Sequence, residues 1–163
     1  MVHLMTMDVG ERRFAVLAAA VRAVVRAVAV TALPKAPPIV EGIINFRGML
    51  VPVLDFRRRI GVAPLPLSLD QHFVIARSGP RTVGLRVDRA VDLVAVDESA
   101  IESALGALPG VEQVAGLATL PDGLLVIHDL ERFLSLEEAG QVDAAMAAAL
   151  PTPRDESLGV EHA

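Results

Sequence analysis

The sequence predicts a mainly β fold, in which short strands form a sheet that closes on itself as a barrel or a pair of barrels. Two observations carry this prediction. Short runs of β-branched and apolar residues recur at close spacing, and few stretches have helical character. With 163 residues, of which 53% are hydrophobic, the chain has the size of one domain and ample material for a core.

The first elements are a hairpin and a stretch that periodicity alone does not resolve. Residues 3–8 and 12–17 alternate as two strands joined by a turn. Residues 18–30 fit both a helix and a buried strand, because their valines match both spacings while the alanines favour helix. Residues 31–38 contain three prolines and are therefore predicted to be an extended connector.

A second hairpin is predicted at the centre of the chain. Residues 40–46 and 49–56 are rich in β-branched and apolar residues, and Phe46-Arg47-Gly48 forms the turn between them. Arg47 is a long cation at this turn, where its guanidinium can pair internally or face a partner. Five positions have predicted structural roles in turn chemistry, a bulge or strand edge, and a cap: Gly42, Asn45, Gly48, Pro52 and Asp55.

A β-meander follows the central hairpin. Residues 62–70 form a proline-containing loop between two halves, and strands are predicted at 71–77, 82–87 and 91–96. Residues 97–109 are polar and then weakly amphipathic, so they are predicted to be a loop with at most one helical turn.

The remaining elements are a last hairpin and a helical end. Strands are predicted at 114–120 and 124–128, and Asp129 can cap a short helix after them. Ser135 and Glu138 match a capping box, so an alanine-rich helix is expected over residues 136–150. Residues 151–163 contain two prolines and are mostly polar, and they are expected to be a disordered tail.

Composition excludes several classes of protein. A net charge of −5 argues against a nucleic-acid binder, which needs many phosphate-neutralising Lys and Arg residues. The longest apolar run has eight residues, at 14–21, so direct membrane insertion is not expected. Residues 1–12 lack the features of a secretory signal, and cysteine is absent, which together predict a cytoplasmic protein.

The sequence contains no pattern that indicates catalysis. It has no GxSxG, P-loop or GxGxxG motif, and its carboxylates form no pair whose spacing predicts a pocket. His72 and His128 are far apart without a third ligand motif, so each is expected to be satisfied locally or to lie on the surface at an interface. No catalytic residue, metal ligand or cofactor is therefore predicted.

The central hairpin resembles the CheW-like coupling proteins of bacterial chemotaxis. The match runs from the proline-rich lead-in through V-E-G-I-I-N-F-R-G at residues 40–48 to P-V at 52–53 and D-F-R at 55–57. The resemblance covers residues 2–135 and implies two small five-stranded SH3-like β-barrels that share a core. It also favours a short turn and then a strand near residues 24–30. The helix at 136–150 and the tail lie outside it.

The resemblance implies a non-enzymatic adaptor. Such a protein couples the cytoplasmic tip of a methyl-accepting chemoreceptor to the regulatory domain of a CheA-type histidine kinase, and it needs no cofactor. One alternative is a divergent adaptor of a chemosensory pathway that controls pili, development or gene expression. Another is a small-barrel nucleic-acid binder, although the sequence has no Trp or Tyr for base stacking.

The resemblance also implies a set of partner-binding residues. The arginine that matches Arg47 belongs to the receptor-binding surface of the family, and Val21 and Val24 match apolar positions near the receptor groove, where they can also be core residues. The family usually carries a glutamate at the position of Ala23. Arg57 and Arg58 belong to the densest basic cluster, which is either a solvated strand end or a surface that faces an acidic partner.

Overall fold

The structure, a computed structural model, describes residues 1–103, 114–121 and 123–149. Within these ranges the chain forms eleven strands and two α-helices: β1 Val2–Val9, β2 Arg12–Leu17, β3 Val21–Arg26, β4 Val40–Phe46, β5 Met49–Asp55, α1 Phe56–Ile60, β6 His72–Ser78, β7 Arg81–Val87, β8 Arg89–Val96, β9 Ile101–Ser103, β10 Val114–Leu120, β11 Gly123–His128 and α2 Leu136–Ala149. The predicted mainly β class and the C-terminal helix are both confirmed.

The strands form two sheets. The first has the order β8-β1-β2-β11-β10-β9, and the second has the order β3-β6-β7-β5-β4. Neighbouring strands are antiparallel except for the parallel pairs β2/β11 and β5/β7. The first sheet has one strand more than the resemblance implies, because Ile101–Ser103 pairs with β10.

An isolated bridge joins the chain after β3 to the edge strand β4 of the second sheet. Thr31, which follows β3 along the chain, exchanges backbone hydrogen bonds of 2.9 and 2.7 Å with Ile43 on β4. Gly42 makes this approach possible, since a Cβ atom there would lie 2.4 Å from the Thr31 carbonyl oxygen. The chain after β3 therefore lies beside β4, at the other edge of the sheet.

Three hydrophobic clusters follow from this arrangement. One belongs to the first sheet and includes Leu4 and Leu125, and one belongs to the second sheet and includes Val51 and Phe73. The largest cluster contains residues from both sheets and from α2. Within it, the ring of Phe56 makes three aromatic contacts. The two sheets therefore share a core.

Several predicted boundaries need correction. The strand expected near residues 24–30 begins earlier, at Val21, because the alanines Ala18–Ala20 form a single 3₁₀ turn directly before it. The expected strand at 49–56 ends at Asp55, whose carboxylate accepts a hydrogen bond from the Arg57 N–H and caps α1. The basic cluster is thus part of a helix and not a strand end. Residues 104–109 of the expected loop and the tail at 151–163 lie outside the described residues.

Candidate partner-binding site

Arg47 lies at the tip of the β4–β5 hairpin. Phe46 pairs with Met49, so Arg47 and Gly48 form a two-residue turn, with φ angles of 51° and 84°. Two positive φ angles in succession are the geometry that suits the twist of a tight hairpin. The side chain of Asn45 stabilises the turn by accepting a hydrogen bond of 2.8 Å from the Gly48 N–H. The hairpin therefore holds the Arg47 backbone in a defined position.

The Arg47 side chain is exposed and does not pair with a carboxylate among the described residues. Its guanidinium lies over the ring of Phe46, 4.9 Å from the ring centroid. A cation–π contact holds the guanidinium in place and leaves its N–H groups available to another molecule. Ala23, where the family usually has a glutamate, is half-buried beside the cluster that Phe46 also contacts.

The edge strands β3, in the second sheet, and β8, in the first sheet, lie on the two sides of the boundary between the sheets. On β3, Val24 pairs with Val74, whose side chain lies in the core shared by the sheets. On β8, Leu93 pairs with Met5, which packs on the same core. Because directly paired residues point to the same face of a sheet, Val24 and Leu93 both face the layer between the sheets.

A hydrogen bond connects the two sheets across this boundary. His72, which is paired with Arg26, accepts a hydrogen bond of 3.2 Å at Nδ1 from the Ala90 N–H. Val24, Val91 and Leu93 remain 36%, 37% and 62% exposed. We call the strip of surface between these exposed residues the edge cleft and define it by Val24, Arg26, Val91 and Leu93.

The other predicted contact residues lie in different environments. Val21 is half-buried and packs on the shared core, whereas Val24 is exposed in the edge cleft. On α1, Arg58 is exposed and makes no ion pair with a described residue. The side chain of Arg57 is only 13% exposed and forms a two-bond ion pair with Asp88, with N···O distances of 3.0 and 2.6 Å.

Two of the predicted structural residues are explained by their neighbours. Asp55 caps α1 and also lies 3.5 Å from the Arg86 guanidinium. Pro52 pairs with Ile43 on β4, while pairing of β5 with β7 begins one residue later, at Val53. Pro52 therefore lies just before the part of β5 that has a strand on both sides, where its missing N–H is tolerated.

Sequence reasoning missed a buried arginine. Arg86 is 4% exposed and donates hydrogen bonds of 2.6 and 2.5 Å to the Glu41 carboxylate. It also donates hydrogen bonds to the Leu65 carbonyl and to the Gln71 side chain. These bonds satisfy a guanidinium that would be costly to bury alone. The available signal was one charged residue inside the otherwise apolar stretch 83–87 of β7.

His128 differs from the expectation of a surface histidine. It is 2% exposed, because it closes the end of the shared core against phenylalanine rings. His72 is half-buried and accepts the hydrogen bond from Ala90. Among the residues that the structure describes, no three His, Asp or Glu side chains are grouped to hold a metal ion. In the same residues, no helix is long and apolar enough to cross a membrane.

Comparison with known proteins identifies the family. The sequence model of the CheW-like domain matches residues 3–138. The chain belongs to the CheW-like domain family. The match spans both sheets and includes the hairpin that carries Arg47 and both walls of the edge cleft.

Individual members of the CheW-like family are similar over most of the chain. Chemotaxis protein CheW of Klebsiella aerogenes is 28% identical over 116 residues, which is 70% of each chain. A probable chemotaxis protein CheW of Rhizobium etli is 25% identical over 139 residues, 84% of this chain and 90% of the relative. The crystal structure of the scaffolding protein TtCheW from Thermoanaerobacter tengcongensis superimposes with a TM-score of 0.77 at 27% identity, covering 84% of this chain and 94% of TtCheW.

Proposed function

We propose that this protein is a scaffold that couples chemoreceptors to a CheA-type histidine kinase without catalysing a reaction. The edge cleft is the observation that carries the proposal. It leaves apolar side chains exposed at the rim of a shared core, where a helical partner can bury them. Membership of a family whose relatives are chemotaxis and scaffolding proteins supports the same function. Residues 2–135 form the adaptor unit, to which α2 is added.

We assign the edge cleft and Arg47 to the cytoplasmic tip of a methyl-accepting chemoreceptor. The bridge between Thr31 and Ile43 holds the chain that follows β3 beside β4, the strand that leads into the Arg47 turn. Apolar residues of a receptor helix would pack on Val24 and Leu93. Arg47, stacked on Phe46, would donate hydrogen bonds to polar groups of the same helix.

The regulatory domain of the kinase would bind a different surface. Arg58 is exposed on α1, away from the hairpin tip, and it offers a cation to an acidic partner surface. Two surfaces on one body with a continuous core can bias a common equilibrium, which coupling requires. This function needs no cofactor, nucleic acid or direct membrane insertion.

A second candidate has the same fold and a different pathway: an adaptor of a chemosensory system other than the flagellar one. Ala23 favours it, because the family usually has a glutamate at this position, so the surface around Arg47 departs from the usual receptor-binding pattern. The two candidates differ only in which receptor and kinase of the organism bind the chain.

Binding to purified fragments tests the function. A receptor cytoplasmic fragment and a kinase regulatory domain should both bind the native protein. Arg47→Ala and Leu93→Asp should each weaken the receptor complex by roughly tenfold and leave the kinase complex unchanged. Leu124→Asp is the matched control for Leu93→Asp, because Leu124 is 58% exposed on the first sheet outside the edge cleft.

The control variants and the native protein decide the interpretation. Leu124→Asp should bind the receptor fragment as the native protein does, and Arg58→Ala should weaken only the kinase complex. If the native protein binds no receptor fragment and no kinase domain from any chemosensory system of its organism, the proposed function is wrong.

A further inference from the structure

Asp88 lies where the chain crosses from one sheet to the other. It is the single residue between β7, in the second sheet, and β8, the edge strand of the first sheet. Its N–H donates a hydrogen bond of 3.1 Å to the carbonyl of Asp8, at the end of β1. Because the connection has only one residue, the conformation of Asp88 determines the direction in which β8 leaves β7.

The side chain of Asp88 joins two further segments directly, and its partner Arg57 joins a third. Its carboxylate accepts hydrogen bonds of 3.0 and 2.6 Å from Arg57 on α1 and one of 2.7 Å from the Gly10 N–H in the β1–β2 turn. Arg57 also donates a bond of 2.7 Å to the Ala63 carbonyl in the loop after α1. Gly10 packs in the same region, since a Cβ atom there would lie 3.2 Å from the Val62 side chain.

The electrostatics of the carboxylate agree with a fixed pair. Burial raises the pKa of Asp88, but hydrogen bonds from Arg57 and from the Gly10 N–H outweigh burial, so the pKa lies below its ordinary value. The carboxylate is therefore charged at neutral pH. A planar guanidinium bound through two parallel N–H groups fixes angle as well as distance, which a single hydrogen bond does not.

We propose that the Arg57–Asp88 pair is a positioning element that sets the angle between the two sheets and thereby the width of the edge cleft. The pair joins α1, which follows β5 of the second sheet, to the residue before β8. It therefore holds the β8 wall of the cleft relative to the second sheet, which contains the other wall, β3. Arg57 thus acts on partner binding through β8 and not by contact. The identity of the molecule that the cleft binds rests on the proposed function. The effect of the pair on the width of the cleft does not.

The width of the cleft can be measured without any partner. The chain has no cysteine, so Val24→Cys and Leu93→Cys place two spin labels on opposite walls of the edge cleft. In this labelled protein, Arg57→Gln and Asp88→Asn should each broaden the distance distribution measured by electron paramagnetic resonance. Arg81→Gln is the matched control, because Arg81 binds Asp143 through two bonds of 2.9 Å but connects the second sheet to α2.

Each outcome has one meaning. Broadening in the Arg57 and Asp88 variants alone supports the proposal. An unchanged distribution in both variants overturns it, and so does equal broadening in Arg81→Gln, which would indicate general loosening. Thermal melts establish that all variants are folded at the temperature used, and Arg57→Lys replaces Arg57→Gln if the latter is unfolded.

Receptor binding provides a second test of the positioning role. Unlabelled Arg57→Gln and Asp88→Asn should bind a receptor fragment roughly tenfold more weakly than the native protein, and Arg81→Gln should not. Loss of binding in Arg57→Gln with native binding in Asp88→Asn would mean direct contact by Arg57, and it would overturn the positioning role. If the native protein binds no receptor fragment, the proposed function fails, while the distance measurement still decides the geometry.

Discussion

The imidazole of His128 lies among three phenylalanine rings. Its ring centroid is 5.4 Å from that of Phe14, 4.8 Å from that of Phe56 and 6.3 Å from that of Phe133. Burial, with a smaller effect of the positive charge of Arg59, lowers the pKa of His128 to about 4. With this pKa the ring is neutral at pH 7, and its Nδ1 has no hydrogen-bond partner among the described residues.

This histidine makes folding stability depend on pH. In the unfolded chain its pKa is about 6.5, so below that pH the unfolded state binds a proton that the folded state excludes until pH falls to about 4. The free energy of unfolding should therefore fall by about 1.4 kcal/mol per pH unit in this window, or about 3 kcal/mol in total. His128→Leu should remove this pH-dependent loss of stability. It also removes a buried nitrogen that has no hydrogen-bond partner among the described residues.

Urea unfolding at pH 7.5 and pH 4.5 measures the difference. The native protein should lose about 2–3 kcal/mol more than His128→Leu between the two values. His3→Leu, at an exposed site on β1, is the control and should follow the native protein. Equal losses in the native protein and His128→Leu would show that His128 titrates normally.

At single residues, the sequence predicted what depends on local geometry. Gly48 and Asn45 lie close to Arg47 along the chain, so the turn that presents Arg47 could be predicted from a run of four residues. The partners of Arg86 and Asp88 are distant in sequence, at 45 residues for Glu41 and 78 for Gly10. No local pattern contains these pairs, and the edge cleft likewise depends on two strands, β3 and β8, that belong to different sheets.

Elements with strong end signals were predicted, while short ones were missed. The hairpin at the centre of the chain and the capping box of α2 each contain residue types that are specific to a turn or to a helix start. The helix α1 also has such signals, since Asp55 caps it and Gly61, with φ of 74°, ends it. Its apolar neighbours nevertheless made the segment resemble a strand. Ile101–Ser103 is too short to show any periodicity.

The capping box of α2 gives a prediction at the level of one helix. Ser135 accepts a hydrogen bond of 3.0 Å from the Glu138 N–H, and Glu138 accepts one of 2.9 Å from the Ser135 N–H. Glu138 is also bound by Arg59 at 2.6 Å, which connects α2 to α1. Ser135→Ala should lower the free energy of unfolding by about 1 kcal/mol.

Chemical denaturation of Ser135→Ala tests this value, with Leu136→Ala as the neighbouring control. Leu136 is 96% exposed, so its truncation should change stability by less than about 0.5 kcal/mol. A Ser135→Ala protein as stable as the native one would mean that packing of Val142 and Ala145 holds α2 without the cap.

The whole molecule depends on the cluster that both sheets share. Phe56 is fully buried, and although it begins α1 beside the second sheet, its ring lies 5.3 Å from that of Phe14 in the first sheet. It also contacts Phe133, at 5.5 Å, next to α2. A cluster that includes both sheets makes each depend on the other, so the two sheets should unfold in one cooperative transition.

Phe56→Ala should therefore destabilise both sheets equally. Removing a fully buried phenylalanine costs about 3–5 kcal/mol. Native-state hydrogen exchange should show that decrease for the slowest amides of β2 in the first sheet and of β6 in the second. Phe46→Ala, at a half-buried ring outside the shared cluster, is the matched control and should cause a smaller decrease. A decrease confined to one sheet would mean that the sheets unfold separately, and a receptor signal could then not pass between them through a rigid core.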